Sequence, residues 1–189
     1  MRKMDSPLPH SLSNTVLLGK KSRNLAHSFM AQLASSGERI HIFDCAIRFN
    51  IFSITQFLND RPLVALHNIE IQRAFTPYQL LDSLSDLITE DIDPHIFPLI
   101  VFLSPAKQFF DKDVKPKERE HLLFDLIFKL EKIHAKGFRF LIVESSRKDN
   151  PLYNSYIERL HKRFGAIEKA KERMELDNGQ DNLTLFSAD

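Results

Sequence analysis

Short apolar segments alternate along this chain with longer segments whose apolar residues recur at helical spacing, and this alternation limits the fold more than any other feature. The most apolar segment is Ile96 to Leu103 (IFPLIVFL), which contains no polar side chain. Such a segment is typical of a strand that is buried on both faces of a parallel sheet. It therefore predicts a strand at the centre of a sheet.

Four further segments predict strands, three because they are short and mainly apolar, and Leu66 to Phe75 because its apolar and polar residues alternate. They are Thr15 to Leu18, Arg39 to Phe43, Leu66 to Phe75 and Phe138 to Val143. Helical spacing predicts helices between them, and the longest of these ends at Gly137. Strands that alternate with helices form parallel sheets, because right-handed crossovers cover both faces with helices. We therefore expect a mainly parallel α/β fold with helices on both faces.

The two ends of the chain are expected to add little to this core. Residues 1–189 are predicted to form a single domain, with a flexible N-terminal segment at residues 1–13. Near the other end, two alternating segments flank Gly179 in DNGQDN, which is typical of a hairpin turn. They predict an antiparallel hairpin at the edge of the sheet.

Composition and charge exclude several classes of protein. The net charge is +1, which gives no global attraction to nucleic acid or to anionic membranes. No apolar run reaches the roughly 18 residues that a membrane span needs, so we expect a cytoplasmic protein with no membrane contact. Cys45 is the single cysteine, which excludes an internal disulfide and a cysteine-based zinc cluster.

Candidate site residues follow the predicted strands, because parallel α/β sheets bind ligands at the carboxyl ends of their strands. They are Gly19, Lys20, Lys21, Ser22, Asp44 and Ser104. The second to fourth of these stand at the predicted start of a helix, where free N–H groups and the helix dipole attract anions. The alternative is that the two lysines are solvated turn residues.

The remaining polar residues indicate neither a catalytic group nor a metal site. Asp111 and Asp113 could attract a cation, but the neighbouring lysines oppose it. The histidines lack paired ligand spacing, and Ser145 is not part of a GxSxG nucleophile elbow. Cys45 follows Asp44, whose negative charge raises the pKa of a thiol. We therefore predict no catalytic residue and no metal.

The segment Gln72 to Gln79 (QRAFTPYQ) resembles the ARAF signature of the RecA/RadA-type recombinase ATPases. Ile42 to Asp44 is similar to the preceding strand and acidic turn of that family, and Pro98 to Val101 is similar to its Walker B strand. The resemblance covers roughly residues 15–146 in the same order. It implies a RecA-like P-loop core and a role in DNA recombination or repair.

The nucleotide-binding motifs of that family are degenerate in this chain. Asn14 stands five residues before Gly19, where a phosphate loop would begin with glycine. Ser104 occupies the position of the Walker B carboxylate, and its hydroxyl cannot supply the negative charge that holds a metal's water shell. Ala46 occupies the position of the catalytic glutamate and cannot activate water. The resemblance therefore implies a pseudo-ATPase with no cofactor, and residual binding of ATP and Mg²⁺ stays open as an alternative.

Basic residues after the last long predicted strand indicate a surface for single-stranded DNA. From Arg147 to Arg173 they outnumber acidic residues by eight to four. The candidates for DNA contact are Arg147, Lys148, Arg159, Lys162 and Arg163. Such a surface would combine phosphate contacts with base stacking on aromatic rings. A solvated helix face whose charges are neutralised by acidic neighbours is the alternative.

Three functions agree with these features. The first is a non-catalytic RecA-like protein that acts in DNA recombination or repair, through a protein partner such as an active recombinase and through single-stranded DNA. The second is an enzyme that handles phosphate or nucleotide with Lys20, Lys21, Ser22 and Asp44. The third is a protein-interaction regulator that uses the fold as a scaffold.

Overall fold

The described part of the chain folds around a sheet of six parallel strands. The computed structural model describes residues 14–58, 62–96, 99–145, 149–164 and 167–169. The strands are β1 (Thr15–Leu18), β2 (Ile40–Asp44), β3 (Ile69–Arg73), β4 (Leu99–Leu103), β5 (Phe140–Glu144) and β6 (Ile167–Lys169). Their order across the sheet is β3-β2-β4-β5-β1-β6, and every neighbouring pair is parallel.

Helices cover both faces of the sheet, which confirms the predicted α/β class. The helices are α1 (Ser22–Ser35), α2 (Ile51–Thr55), α3 (Pro62–Leu66), α4 (Pro77–Thr89), α5 (Pro116–Ala135) and α6 (Pro151–Phe164), with a 3-10 helix at Pro105–Phe110. The first three pack on one face, and the others pack on the opposite face. Within the described ranges, none of these helices has the length and apolar character needed to cross a membrane.

Strand β4 lies inside the sheet between β2 and β5, as its apolar sequence predicts. All five of its residues are buried. Ile100 and Phe102 pack under one helical layer. Leu99, Val101 and Leu103 pack under the other. The strand begins at Leu99 rather than at Ile96, because a turn precedes it at residues 94–96.

The predicted strand from Leu66 to Phe75 is too long at both ends. Its first residue closes helix α3, and the strand itself spans only Ile69–Arg73. Asn68 explains the break, because its side-chain Nδ2 donates to the carbonyl of Ala34 at the end of α1. The chain therefore leaves a helix and turns before it enters the sheet.

The edge next to β1 is formed by β6, which is parallel to β1. The first of the two alternating segments that were predicted near the end of the chain therefore enters the sheet as a parallel strand. The predicted antiparallel hairpin around Gly179 lies outside the described residues, as does the predicted flexible segment at residues 1–13.

Candidate functional site

A cleft of about 270 Å³ opens at the carboxyl ends of β1, β4 and β5. Its walls are formed by Gly19, Lys20, Ser22, Arg23, Arg48, Leu103, Ser104, Val143 and Ser145. Three of these side chains are cationic, and none of the lining residues is acidic. The cleft is therefore suited to an anion.

The connection from β1 to α1 is too short to form a phosphate loop. Only Gly19, Lys20 and Lys21 separate the strand from the helix. The hydroxyl of Ser22 is buried and donates to the carbonyl oxygen of Glu144 at 3.0 Å, and the amide of Gly19 donates to the same oxygen at 3.0 Å. These bonds tie the connection to β5, so the hydroxyl is already used within the protein.

Asn14 directly precedes β1 and so lies at the amino-terminal ends of the strands, opposite to the cleft. The residues between it and Gly19 form strand β1. The register in which a phosphate loop would begin at Asn14 is therefore occupied by a strand, and the loop cannot exist there.

Ser104 lines the cleft at the end of β4. Its backbone has φ of +54°, a left-handed conformation that is uncommon for residues other than glycine. Its amide donates to the carbonyl of Val143 at 2.7 Å, which fixes the turn into the 3-10 helix. The residue thus offers a hydroxyl to the cleft at the position that the family resemblance assigns to a metal-binding carboxylate.

Asp44 is only 1% exposed and is not among the residues that line the cleft. Its Oδ1 accepts the backbone N–H of Arg48 at 2.7 Å, and its Oδ2 lies 3.8 Å from Nε of Arg73. The carboxylate therefore does not face the cleft and supports the site from within the protein. It holds the turn that brings the Arg48 side chain to the cleft.

Sequence reasoning placed Gly19, Lys20, Ser22 and Ser104 in the site, and all four line the cleft. Lys21 precedes α1 and is not one of the lining residues. Arg23 and Arg48 were missed as site residues. The available signal was their position, in the first turn of α1 and four residues beyond the end of β2.

His27 fixes the loop at residues 45–50 against α1. Its Nδ1 lies 2.7 Å from the carbonyl oxygen of Arg23, and its Nε2 lies 3.0 Å from the amide of Asn50. A neutral ring with the proton on Nδ1 satisfies both groups at once. Burial lowers the pKa of His27, which favours this neutral form.

We expect the free energy of unfolding to fall as the pH drops below 6.5. Burial lowers the pKa of His27 and of His41 below the ordinary value of 6.5. Below pH 6.5 the unfolded chain therefore binds protons that the folded chain does not. The contribution of these two rings to the free energy of unfolding is fully present above pH 6.5 and is lost as the pH falls through the folded pKa values. Urea unfolding at about pH 7.5 and about pH 5.5 measures the loss.

The variant His27→Gln should show a smaller loss between these two pH values than the wild type, because one of the two buried rings is gone. His67→Gln is the matched control, since His67 is exposed. Equal losses for the wild type and His27→Gln would contradict this assignment.

The predicted DNA-contact residues are divided by the structure. Two of them lie on α6 and pair with glutamates of α5. Nη2 of Arg159 lies 3.4 Å from Oε1 of Glu120. Nε of Arg163 lies 2.8 Å from Oε1 of Glu131. Lys162 is exposed on the last turn of α6, and Arg147 and Lys148 lie outside the described residues. The two ion pairs favour a solvated helix face for this part of α6.

A buried polar group lies at the end of β5, beside the cleft. Oε1 of Glu144 accepts the amide of Ala106 at 2.8 Å, and Oε2 lies 3.4 Å from the hydroxyl of Tyr153.

Burial, and then the negative charge of Glu144, raises the pKa of the Cys45 thiol and of Tyr156. Cys45 therefore stays protonated, which argues against a nucleophilic role.

No protein-family model matches this chain, and no curated protein matches it either. The parallel α/β sheet is compatible with a P-loop-like core. Among the residues that the structure describes, no group of three or more His, Cys, Asp or Glu side chains could hold a metal ion.

Proposed function

We propose that this chain is a non-catalytic, RecA-like protein that binds phosphate groups in the cleft and acts in cytoplasmic DNA recombination or repair beside an active protein partner. The cleft carries the proposal, because Lys20, Arg23 and Arg48 line it and no acidic residue is among the lining residues. Like charges around one cavity repel each other, and a bound anion removes that repulsion. Charge-assisted hydrogen bonds to phosphate are stronger than neutral ones.

The same geometry supports binding without turnover. Phosphoryl transfer needs a backbone cradle, a metal-holding carboxylate and a group that positions the nucleophile. In this chain the Ser22 hydroxyl donates to a carbonyl of β5, and the Asp44 carboxylate is buried against the amide of Arg48. An enzyme that uses these two groups on a ligand would first have to break both contacts.

The role in DNA metabolism is supported by the segment from Gln72 to Gln79 that resembles the recombinase signature. It forms the turn from β3 into α4, where Oγ1 of Thr76 accepts the amide of Gln79 at 3.2 Å. Oε1 of Gln79 in turn accepts the amide of Phe75 at 2.9 Å. Thr76 thus caps the first turn of α4, while Gln79 accepts from the residue before the cap and holds the chain that enters the helix.

We expect saturable binding of pyrophosphate and of ATP, with no ATP hydrolysis. A ligand at about 100 times its Kd adds about 2.7 kcal/mol to the free energy of unfolding, so a thermal shift over a concentration series detects it. Arg48→Gln should weaken pyrophosphate binding about tenfold, because one of three cations leaves the cleft. Lys162→Gln is the matched control, since Lys162 lies on the last turn of α6, away from the cleft.

Two results would overturn the proposed function. One is the absence of any thermal shift at millimolar pyrophosphate, which would show that the cleft does not hold phosphate. The other is ATP turnover that Lys20→Ala abolishes, which would favour the enzyme that handles phosphate or nucleotide.

A further inference from the structure

Two phenylalanine side chains stand exposed on the outer face of α5. Phe124 is 56% exposed and Phe128 is 48% exposed, although Leu126 and Leu130 of the same helix are completely buried. The two rings are four residues apart, so they are neighbours along the helix, with about 5 to 6 Å between their Cβ atoms. Adjoining apolar groups on a surface are typical of a protein interface, whereas single exposed ones are ordinary.

Charged residues continue this row at both ends with the same spacing. Glu120 stands four residues before Phe124, and Lys132 stands four residues after Phe128. Both charged side chains are exposed. Residues at steps of four form a ridge on the surface of a helix. We call Glu120, Phe124, Phe128 and Lys132 the α5 ridge.

Cations hold the two rings of the α5 ridge in place. Nζ of Lys132 lies 5.2 Å from the centroid of the Phe128 ring. On α6, Cζ of Arg159 lies 5.7 Å from the centroid of the Phe124 ring, and its Nη2 lies 3.4 Å from Oε1 of Glu120. Contacts of this kind are attractive, because the face of an aromatic ring is negative. The ridge is therefore ordered before a partner binds, which lowers the entropy cost of association.

The order of the four residues makes the α5 ridge complementary to a reversed copy of itself. The ridge runs acid, ring, ring, base, so a reversed copy beside it places each acid next to a base and each ring next to a ring. Two such ridges lie side by side when their helices cross at about −50°, the commonest class of helix packing. A parallel arrangement would place Glu120 beside Glu120, and like charges repel.

We infer that two copies of this chain associate through the α5 ridge about a two-fold axis. Phe124 of each copy packs against Phe128 of the other, and Glu120 of each copy lies beside Lys132 of the other. Such an interface uses the same surface on both copies, so the assembly closes at two chains. None of the four ridge residues lines the cleft, so the inference is independent of the proposed function.

Sedimentation velocity of the full chain between about 1 and 200 µM measures the association. We expect the mass to rise with concentration from that of one chain to that of two. Phe128→Ala should weaken the association at least about tenfold, because two-fold symmetry removes two rings from the interface at once. Phe52→Ala is the matched control, since Phe52 is 75% exposed on α2, which packs on the opposite face of the sheet.

Exchange of the two charges tests the reversed arrangement. Glu120→Lys and Lys132→Glu should each weaken the association at least about fivefold, since each places like charges side by side twice. The double variant should associate at least about threefold more tightly than either single variant, because opposite charges meet again. Twelve positions span about 18 Å along a helix, so this recovery does not arise within one chain. Glu38→Lys is the control, since Glu38 is exposed outside α5.

Three results would overturn the inference. The mass of a single chain at every concentration would show that the α5 ridge does not bind a second copy. An association that Phe128→Ala leaves unchanged would place the interface elsewhere on the molecule. A double variant that associates no more tightly than the single variants would contradict the reversed arrangement of the two ridges.

Discussion

Glu144→Ala is expected to lower the free energy of unfolding by about 3 to 4 kcal/mol. Glu144 is buried at the end of β5, and its Oε1 accepts the amide of Ala106 at 2.8 Å. Alanine would leave that buried amide without an acceptor, which costs about 1 to 3 kcal/mol. It would also leave a cavity against Tyr153, and the lost packing adds to the cost.

Glu144→Gln separates the lost hydrogen bond from the lost charge. The glutamine carbonyl can still accept the amide of Ala106, and the side chain fills the same volume. We therefore expect a loss of less than about 1.5 kcal/mol for this variant. Urea unfolding of both variants measures the difference, and an alanine variant within about 1 kcal/mol of the wild type would contradict the role of the carboxylate.

Asn14→Ala is expected to cost about 2 to 3 kcal/mol. Asn14 has φ of +51°, a conformation that asparagine tolerates better than alanine. Its Oδ1 accepts the buried amide of Phe140 at 3.2 Å, and its Nδ2 lies 2.6 Å from Nδ1 of His134 on α5. The side chain therefore joins the start of β1 to β5 and to the helix above it.

Asn14→Gly is the control that separates strain from hydrogen bonding. Glycine adopts positive φ without penalty but lacks the amide group. It should therefore be about 1 kcal/mol more stable than the alanine variant and still less stable than the wild type. Identical unfolding midpoints for the alanine and glycine variants in thermal denaturation would show that the backbone at Asn14 is not strained.

Local patterns were sufficient for most of the fold. Mainly apolar runs located β1, β2, β4 and β5, because strands that are buried on both faces are rich in apolar residues. Gly37 and Gly137 have φ of +92° and +93° after α1 and α5, as their positions at helix ends predict. Alternation located β3 as well, but with bounds that are too wide, because its exposed edge position requires no apolar run and the alternating pattern extends back to the last residue of α3.

The candidate site was predictable only where it depends on single strand ends. Gly19, Lys20 and Ser104 follow β1 and β4 directly, so the rule for parallel sheets finds them. Arg48 reaches the cleft through a loop that Asp44 and His27 hold in place. The first contact spans only four residues and the second joins the loop to α1, and hydrophobic periodicity contains no information about either.

Residue types and their local spacing were enough to predict the parallel α/β architecture and to show that the chain carries no glycine-rich phosphate-loop motif (GxxxxGK[ST]). Which charges share a cavity depends on how the elements pack in three dimensions. That packing buried Asp44 behind the cleft, brought Arg23 and Arg48 to its wall, and paired Arg159 and Arg163 with acidic residues of α5. Charges interact strongly only over distances of a few ångströms, and those distances are set by how helices and loops pack across the sheet.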